Sequence, residues 1–145
     1  MADLIALQKL LGFPFPTDYL NFLERSSEEA RQGSQIDLRA RDGDIFQVHG
    51  FLDTELDQDS TSSIIGVMNL LNNEYDDIWQ VLSRSETIPI AWDVGGNIFV
   101  LKKHEPEHWR VYYVYLDVDP IGENDENLEV VKVGNSFSEF LQNLI

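Results

Sequence analysis

The sequence of 145 residues contains no cysteine. This absence excludes a disulfide scaffold, a thiolate metal site and a cysteine nucleophile. Long apolar runs are missing as well, since stretches such as Ile98 to Leu101 fall far short of the ~20 residues that cross a bilayer. The amino terminus carries Asp3 where a signal peptide has positive charge. We therefore expect a cytoplasmic protein with no membrane span and no export signal.

The common catalytic signatures are also missing. The sequence has no GxSxG nucleophile elbow, no GxGxxG dinucleotide loop and no GxxxxGK[ST] phosphate loop. These absences favour a non-enzymatic protein with no cofactor.

Basic residues are scarce. Ten Lys and Arg stand against 26 Asp and Glu, which gives a formal net charge of −16. Such a surface repels nucleic acid and anionic membranes and attracts basic proteins. The alternative interpretation is that the charge only keeps the protein soluble.

The order of secondary structure predicts one domain over residues 1–145. Leu4, Leu7 and Leu11 recur at helical spacing, and Gly12 suits the left-handed residue that ends a helix. A second helix is predicted from about Thr17 to Ser26. Further helices are predicted at the spaced apolar residues Ile64, Val67, Met68 and Leu71, and at the end of the chain, where Ser136 to Glu139 fit a capping box.

Alternating apolar residues predict strands. A hairpin is predicted around the Asp42-Gly43 pair, with its second strand running from about Asp44 to Phe51. Pro89 indicates that its own strand lies at a sheet edge or begins there. Four later strands are predicted at Thr87 to Trp92, Asn97 to Lys103, Trp109 to Leu116 and Glu129 to Val133. The fold class is α+β: a single domain with a largely antiparallel sheet of about six strands, and helices from both chain ends packed against it.

Four motifs in this order carry a resemblance to a known family. They are LGFPFPTDYLNFL (11–23), IPIAWDVGGNIFVL (88–101), VYYVYLDVD (111–119) and SFSEFLQNL (136–144). Together they resemble the SUKH superfamily of Smi/Knr-like domains. The resemblance implies a shared scaffold with a variable partner surface. Many bacterial members are toxin-immunity proteins, whereas eukaryotic relatives resemble regulatory and scaffolding proteins.

The first hypothesis is therefore a non-enzymatic immunity protein that binds and neutralises a cognate, basic toxin domain such as a nuclease. A regulatory or scaffold module with an endogenous partner is the alternative. A third hypothesis, a metal-dependent hydrolase, depends on HEPEH at residues 104–108, which matches the HExxH spelling of zinc proteases. That chemistry needs both imidazoles on one helical face, and Pro106 opposes a helix. We expect HEPEH to lie in a hairpin loop.

Two acid-rich segments are the candidate partner surface. Their predicted partner-binding residues are Asp53, Glu55, Asp57, Asp59, Asp117, Asp119, Asp125 and Glu126. Loops on a rigid sheet commonly carry partner specificity, although both segments could equally be solvated turns. The second segment imitates a calcium loop, but Ile121 and Leu128 occupy two ligand positions. No metal site is predicted.

Overall fold

The computed structural model describes residues 2–25, 36–39, 45–56, 59–75, 78–79, 82–93, 96–105, 108–115 and 130–142. Within these residues the helices are α1 (Ala2–Leu11), α2 (Thr17–Arg25), α3 (Ile64–Glu74) and α4 (Phe137–Gln142). The strands are β1 (Ile36–Arg39), β2 (Ile45–Phe51), β3 (Thr87–Asp93), β4 (Ile98–Glu105), β5 (His108–Val114) and β6 (Val130–Gly134). None of the helices in this part of the chain is long and apolar enough to cross a bilayer.

The six strands form one sheet in the order β1-β2-β3-β4-β5-β6. Every neighbouring pair is antiparallel, so the sheet is a meander in which each strand pairs with the next in sequence. The predicted α+β class with an antiparallel sheet is confirmed. The hairpin turn predicted at Asp42-Gly43 lies outside the described residues, but the two strands that it would join do pair.

Helix α1 ends where the sequence predicts. Leu4 and Leu7 are buried, and Gly12 follows the last helical residue with a φ of 88°. Its backbone N–H donates to the carbonyl of Gln8 at 2.9 Å, which closes the final turn. A residue with a side chain would be strained at this φ, so glycine is the residue that lets the chain leave the helix here.

The position of Pro89 corrects one prediction. Strand β3 is an interior strand, not an edge strand, because β2 and β4 lie on either side of it. Pairing with β2 covers only the end of β3 that begins at Ala91, and a register irregularity separates Pro89 from Ala91 in the pairing with β4. Pro89 therefore occupies the part of an interior strand that the β2 ladder does not reach, where a missing N–H does no harm.

Helix α4 begins with a serine cap. The Ser136 side chain accepts the backbone N–H of Glu139 at 3.0 Å, as the capping box predicts. The reciprocal bond is shifted by one residue, since the Glu139 carboxylate accepts the N–H of Asn135 at 3.3 Å. The carboxylate of Asp18, in α2, also accepts the N–H and the hydroxyl of Ser138, each at 3.0 Å. These bonds hold α4 against α2, and the bonded residues are 120 positions apart in the sequence.

An aromatic cluster fills the space between these two helices and the sheet. Phe137 is at its centre, with ring centroids 4.9 Å from Tyr19 and 5.1 Å from Phe22. Phe51 on β2 and Phe140 on α4 complete the cluster. Because aromatic side chains bury large apolar areas, this cluster is a main source of the core's stability.

Candidate functional site

The acidic segment, residues 53–59, begins inside the protein. Asp53 is only 4% exposed. Its backbone N–H donates to the carbonyl of Ser62 at 2.8 Å, and its carbonyl accepts the N–H of Ile64 at 3.0 Å. Its carboxylate accepts the N–H of Glu55 at 3.1 Å. Asp53 thus fastens the segment to the start of α3.

The rest of the described segment faces solvent. Glu55 and Asp59 are exposed, and Leu56 between them exposes 43% of its surface, one of the largest exposures of an apolar side chain in the described part of the chain. An apolar residue flanked by carboxylates is suited to a protein surface that combines an apolar patch with basic groups. Of the predicted site residues, the structure therefore places Glu55 and Asp59 on one exposed segment and Asp53 beneath it. Asp57, Asp117, Asp119, Asp125 and Glu126 lie outside the described residues.

The described residues of HEPEH, which are His104, Glu105 and His108, are not helical. His104 belongs to β4 and His108 begins β5, and Glu105 pairs directly with His108 in the antiparallel ladder. The two imidazoles therefore lack the four-residue helical spacing of a zinc protease. Across the residues described, no group of three or more His, Asp or Glu side chains is arranged to hold a metal.

A groove of about 580 Å³ lies between α1, α3 and the turn at residues 83–85. Its lining residues are Leu10, Leu11, Ile65, Met68, Asn69, Asn72, Ser83, Arg84 and Ser85. The hydroxyls of Ser83 and Ser85 are 3.2 Å apart. A serine nucleophile needs a nearby base, and none of the described lining residues is a carboxylate or an imidazole.

A buried polar network joins three strands at the turn between β3 and β4. The carboxylate of Asp93 accepts the backbone N–H of Asn97 at 2.8 Å and the hydroxyl of Tyr113. The side-chain amide of Asn97 donates to the same Tyr113 oxygen at 3.1 Å. Burial, followed by the hydrogen bond to Asp93 and its charge, raises the pKa of Tyr113 above its ordinary value of about 10. The phenol stays protonated near neutral pH and acts as a donor, not as a base.

The family model of the SMI1 / KNR4 family (SUKH-1) matches residues 2–143. The chain belongs to this family. The resemblance carried by the four sequence motifs is thereby confirmed. No curated protein and no solved structure matches the sequence.

In this SUKH-1 chain the motif IPIAWDVGGNIFVL has a structural role that its sequence only partly reveals. The motif supplies Asp93 and Asn97 of the network, and the third member, Tyr113, comes from the motif VYYVYLDVD. Tyr113 is not among the site residues predicted from the sequence. Strand alternation could have found it, because Trp109, Val111 and Tyr113 share one face of β5 and all three are buried.

The raised pKa of Tyr113 predicts a specific sensitivity to alkali. Below pH ~10 the phenol is protonated in both folded and unfolded chains, and its contribution to stability is fully present. As the pH rises further, the unfolded chain ionises first and the contribution is lost, with a slope of at most ~1.4 kcal/mol per pH unit. In Tyr113→Phe we expect a smaller loss of stability between pH 9 and pH 11 than in the parent protein.

Urea unfolding at several pH values measures this effect. At pH 7 the Tyr113→Phe variant should also be less stable, by about 1–3 kcal/mol, because the half-buried Asp93 carboxylate loses its phenol donor. Tyr75→Phe, which removes the phenol of a half-buried tyrosine outside the network, is the control for the loss of stability at pH 7. Identical slopes for Tyr113→Phe and the parent would contradict the assignment.

Proposed function

We propose that this protein is an immunity protein that binds a cognate toxin domain in the cytoplasm and neutralises it by protein–protein contact. Membership of the SUKH-1 family is the observation that carries the proposal. The net charge of −16 supports a basic toxin domain, such as a nuclease, because opposite charges attract at long range.

The exposed part of the acidic segment is the proposed contact. Glu55 and Asp59 supply charges that steer the encounter, and Leu56 supplies an apolar contact that excludes water once the partners meet. Asp53 is left out of this proposed footprint because it is buried. Its bonds to residues 62 and 64 instead hold the segment in place. The segment therefore loses less conformational entropy when it binds a partner.

Co-expression tests the proposal directly. A candidate toxin domain from a neighbouring gene is expressed in a sensitive host with and without the protein, and growth is scored. We expect growth only when the protein is present, and a stoichiometric complex on size-exclusion chromatography. If the host dies although both proteins are made in folded form, the immunity function is wrong.

Charge reversal tests the footprint. We expect Glu55→Lys/Asp59→Lys to slow association with the basic toxin domain and to weaken its dependence on salt, because exposed charges act mainly on the association rate. Glu24→Lys/Glu74→Lys makes the same change in net charge at exposed positions on α2 and α3 and is the matched control. Stopped-flow measurements at two salt concentrations give the association rate of each double variant with the toxin domain. Equal slowing in both variants would contradict the proposed contact at Glu55 and Asp59 but would leave the proposed immunity function intact.

A further inference from the structure

The two sides of strand β5 differ in burial and in charge. Strand β5 alternates, with Trp109, Val111 and Tyr113 buried on one side. Arg110 and Tyr112 project to the other side and are half-buried. This second side of the sheet carries cations in a chain that has few of them.

The strand register brings these cations together. Lys102 on β4 is the direct cross-strand partner of Arg110, and Tyr112 is the partner of Lys132 on β6. Directly paired residues project to the same face with Cβ atoms about 5 Å apart. Because neighbouring strands are about 4.8 Å apart, the cations of β4, β5 and β6 span roughly 10 Å across the sheet.

A tyrosine–histidine pair borders the cations. The hydroxyl of Tyr112 and Nε2 of His104 are 2.6 Å apart, and the two ring centroids are 5.6 Å apart. This contact places His104 on the same face. We call Lys102, Arg110 and Lys132, with Tyr112 and His104, the cationic face.

Within the described part of the chain, no ion pair neutralises the cations of the cationic face. Like charges directly opposite each other in a sheet are destabilising, and Lys102 and Arg110 are such a pair. The chain has 26 acidic residues, yet Lys102, Arg110 and Lys132 form no ion pair with any residue that the structure describes. Nε of Arg110 is buried without a hydrogen-bond partner. Leaving such a donor without a hydrogen bond costs free energy. A hydrogen-bond acceptor on a binding partner would remove this cost, which the unbound protein carries.

We propose that the cationic face is a docking surface for a protein segment that presents carboxylates. A carboxylate placed between Lys102 and Arg110 screens their repulsion. Rotation of the half-buried Arg110 side chain would offer Nε to that carboxylate. Arginine binds carboxylates through two parallel hydrogen bonds. Lys132 is exposed beside them and accommodates a second acid on the same segment.

Protein carboxylates fit this face better than nucleic acid does. A duplex carries one charge per ~1.7 Å and extends well beyond the three strands. Its remaining phosphates would meet the acidic remainder of a chain with a net charge of −16. A short protein segment touches only the cationic face, and at physiological salt charges beyond ~8 Å are largely screened. The proposal does not depend on the identity of the toxin.

An NMR titration with hexaglutamate as the probe tests the proposal. The full-length protein is labelled with nitrogen-15 and titrated at about 0.02 M salt, where screening is weak. We expect shifts in the amides of β4, β5 and β6 near Lys102, Arg110 and Lys132. In Lys102→Gln/Arg110→Gln the affinity should fall by about tenfold or more, as expected for loss of charge-assisted hydrogen bonds. Hexaglutamine should leave the spectrum unchanged.

A matched control separates the face from net charge. Lys9→Gln/Arg25→Gln removes two exposed cations from α1 and α2 and should bind hexaglutamate like the parent protein. An equal loss of affinity for hexaglutamate in both double variants overturns the proposal. The absence of any change in the amide chemical shifts of the parent protein overturns it as well. Tighter binding of inorganic phosphate or hexathymidylate at the same amides also overturns it. If Lys102→Gln/Arg110→Gln does not fold, Lys132→Gln, at an exposed position, replaces it and should weaken binding.

Discussion

Replacing Gly66 with alanine should destabilise the protein by about 4 kcal/mol or more, an exceptionally large effect for one methyl group. The added Cβ would lie 1.7 Å from the carbonyl oxygen of Ser60, 2.7 Å from its carbonyl carbon and 2.9 Å from the Ser63 hydroxyl oxygen. Two of these are backbone atoms, which cannot rotate away as a side chain could. Relief therefore requires the chain before α3 to move.

The same movement would break the helix start. Ser63 caps α3 by accepting the backbone N–H of Gly66 at 3.0 Å, and its hydroxyl lies 3.4 Å from the Ser60 carbonyl, to which it donates. Glycine in the first turn of a helix ordinarily costs about 1 kcal/mol relative to alanine. Here the close approach of residue 60 makes glycine the favourable residue.

Thermal and urea unfolding of Gly66→Ala measure the loss. Gly12→Ala is the control, because a Cβ at Gly12 meets no heavy atom within 4 Å and only the φ of +88° is unfavourable. That strain should cost about 1–2 kcal/mol. If the two variants are equally stable, the contact between Gly66 and the Ser60 backbone does not exist in solution.

Phe137→Ala should destabilise the protein by about 3–5 kcal/mol. Phe137 is only 1% exposed, and the rings of Tyr19, Phe22, Phe51 and Phe140 surround it. Truncation opens a cavity among side chains that belong to three different elements. Helix α4 has six residues, too few to be stable without packing, so we expect the variant to lose the order of this helix as well.

Two further variants test whether the loss of stability comes from removing the Phe137 ring from the core. Phe137→Leu keeps most of the volume and should recover more than half of the stability. Leu141→Ala, at a half-buried residue of the same helix, should cost clearly less than Phe137→Ala. Urea unfolding with tryptophan fluorescence compares the three. A loss below about 1 kcal/mol for Phe137→Ala would contradict the position of this ring at the centre of the cluster.

The features predicted well from the sequence are those that depend on near neighbours. The end of α1 at Gly12, the Ser136 cap and the strand β5, predicted from Trp109 to Leu116, each involve residues within a few positions of one another. Local backbone preferences and the two periodicities of helix and strand determine them. The antiparallel pairing of β3 with β4 and of β4 with β5 follows as well, because short connections join these strands.

The features missed depend on distant partners. In the sequence Asp53 alternates with other acids, a pattern typical of a solvated loop. In the structure Asp53 forms a β-bridge with Ser63 and is buried. Pro89 indicates an edge strand because the sequence does not show where the β2 ladder ends. The cationic face was missed for the same reason: Lys102 and Arg110 look unrelated until the register makes them opposite neighbours. Register and burial are properties of the assembled sheet.

The bonds between Asp18 and Ser138 have a consequence for synthesis on the ribosome. At ~5–20 residues per second, on the order of ten seconds separate the emergence of α2 from that of α4. During that interval the sheet can pair strand by strand, but the apolar surface of Phe51 and Phe99 that α4 contacts stays uncovered. The nascent chain therefore passes through a stage at which holdase chaperones can bind it, and this stage ends only when residues 137–142 dock.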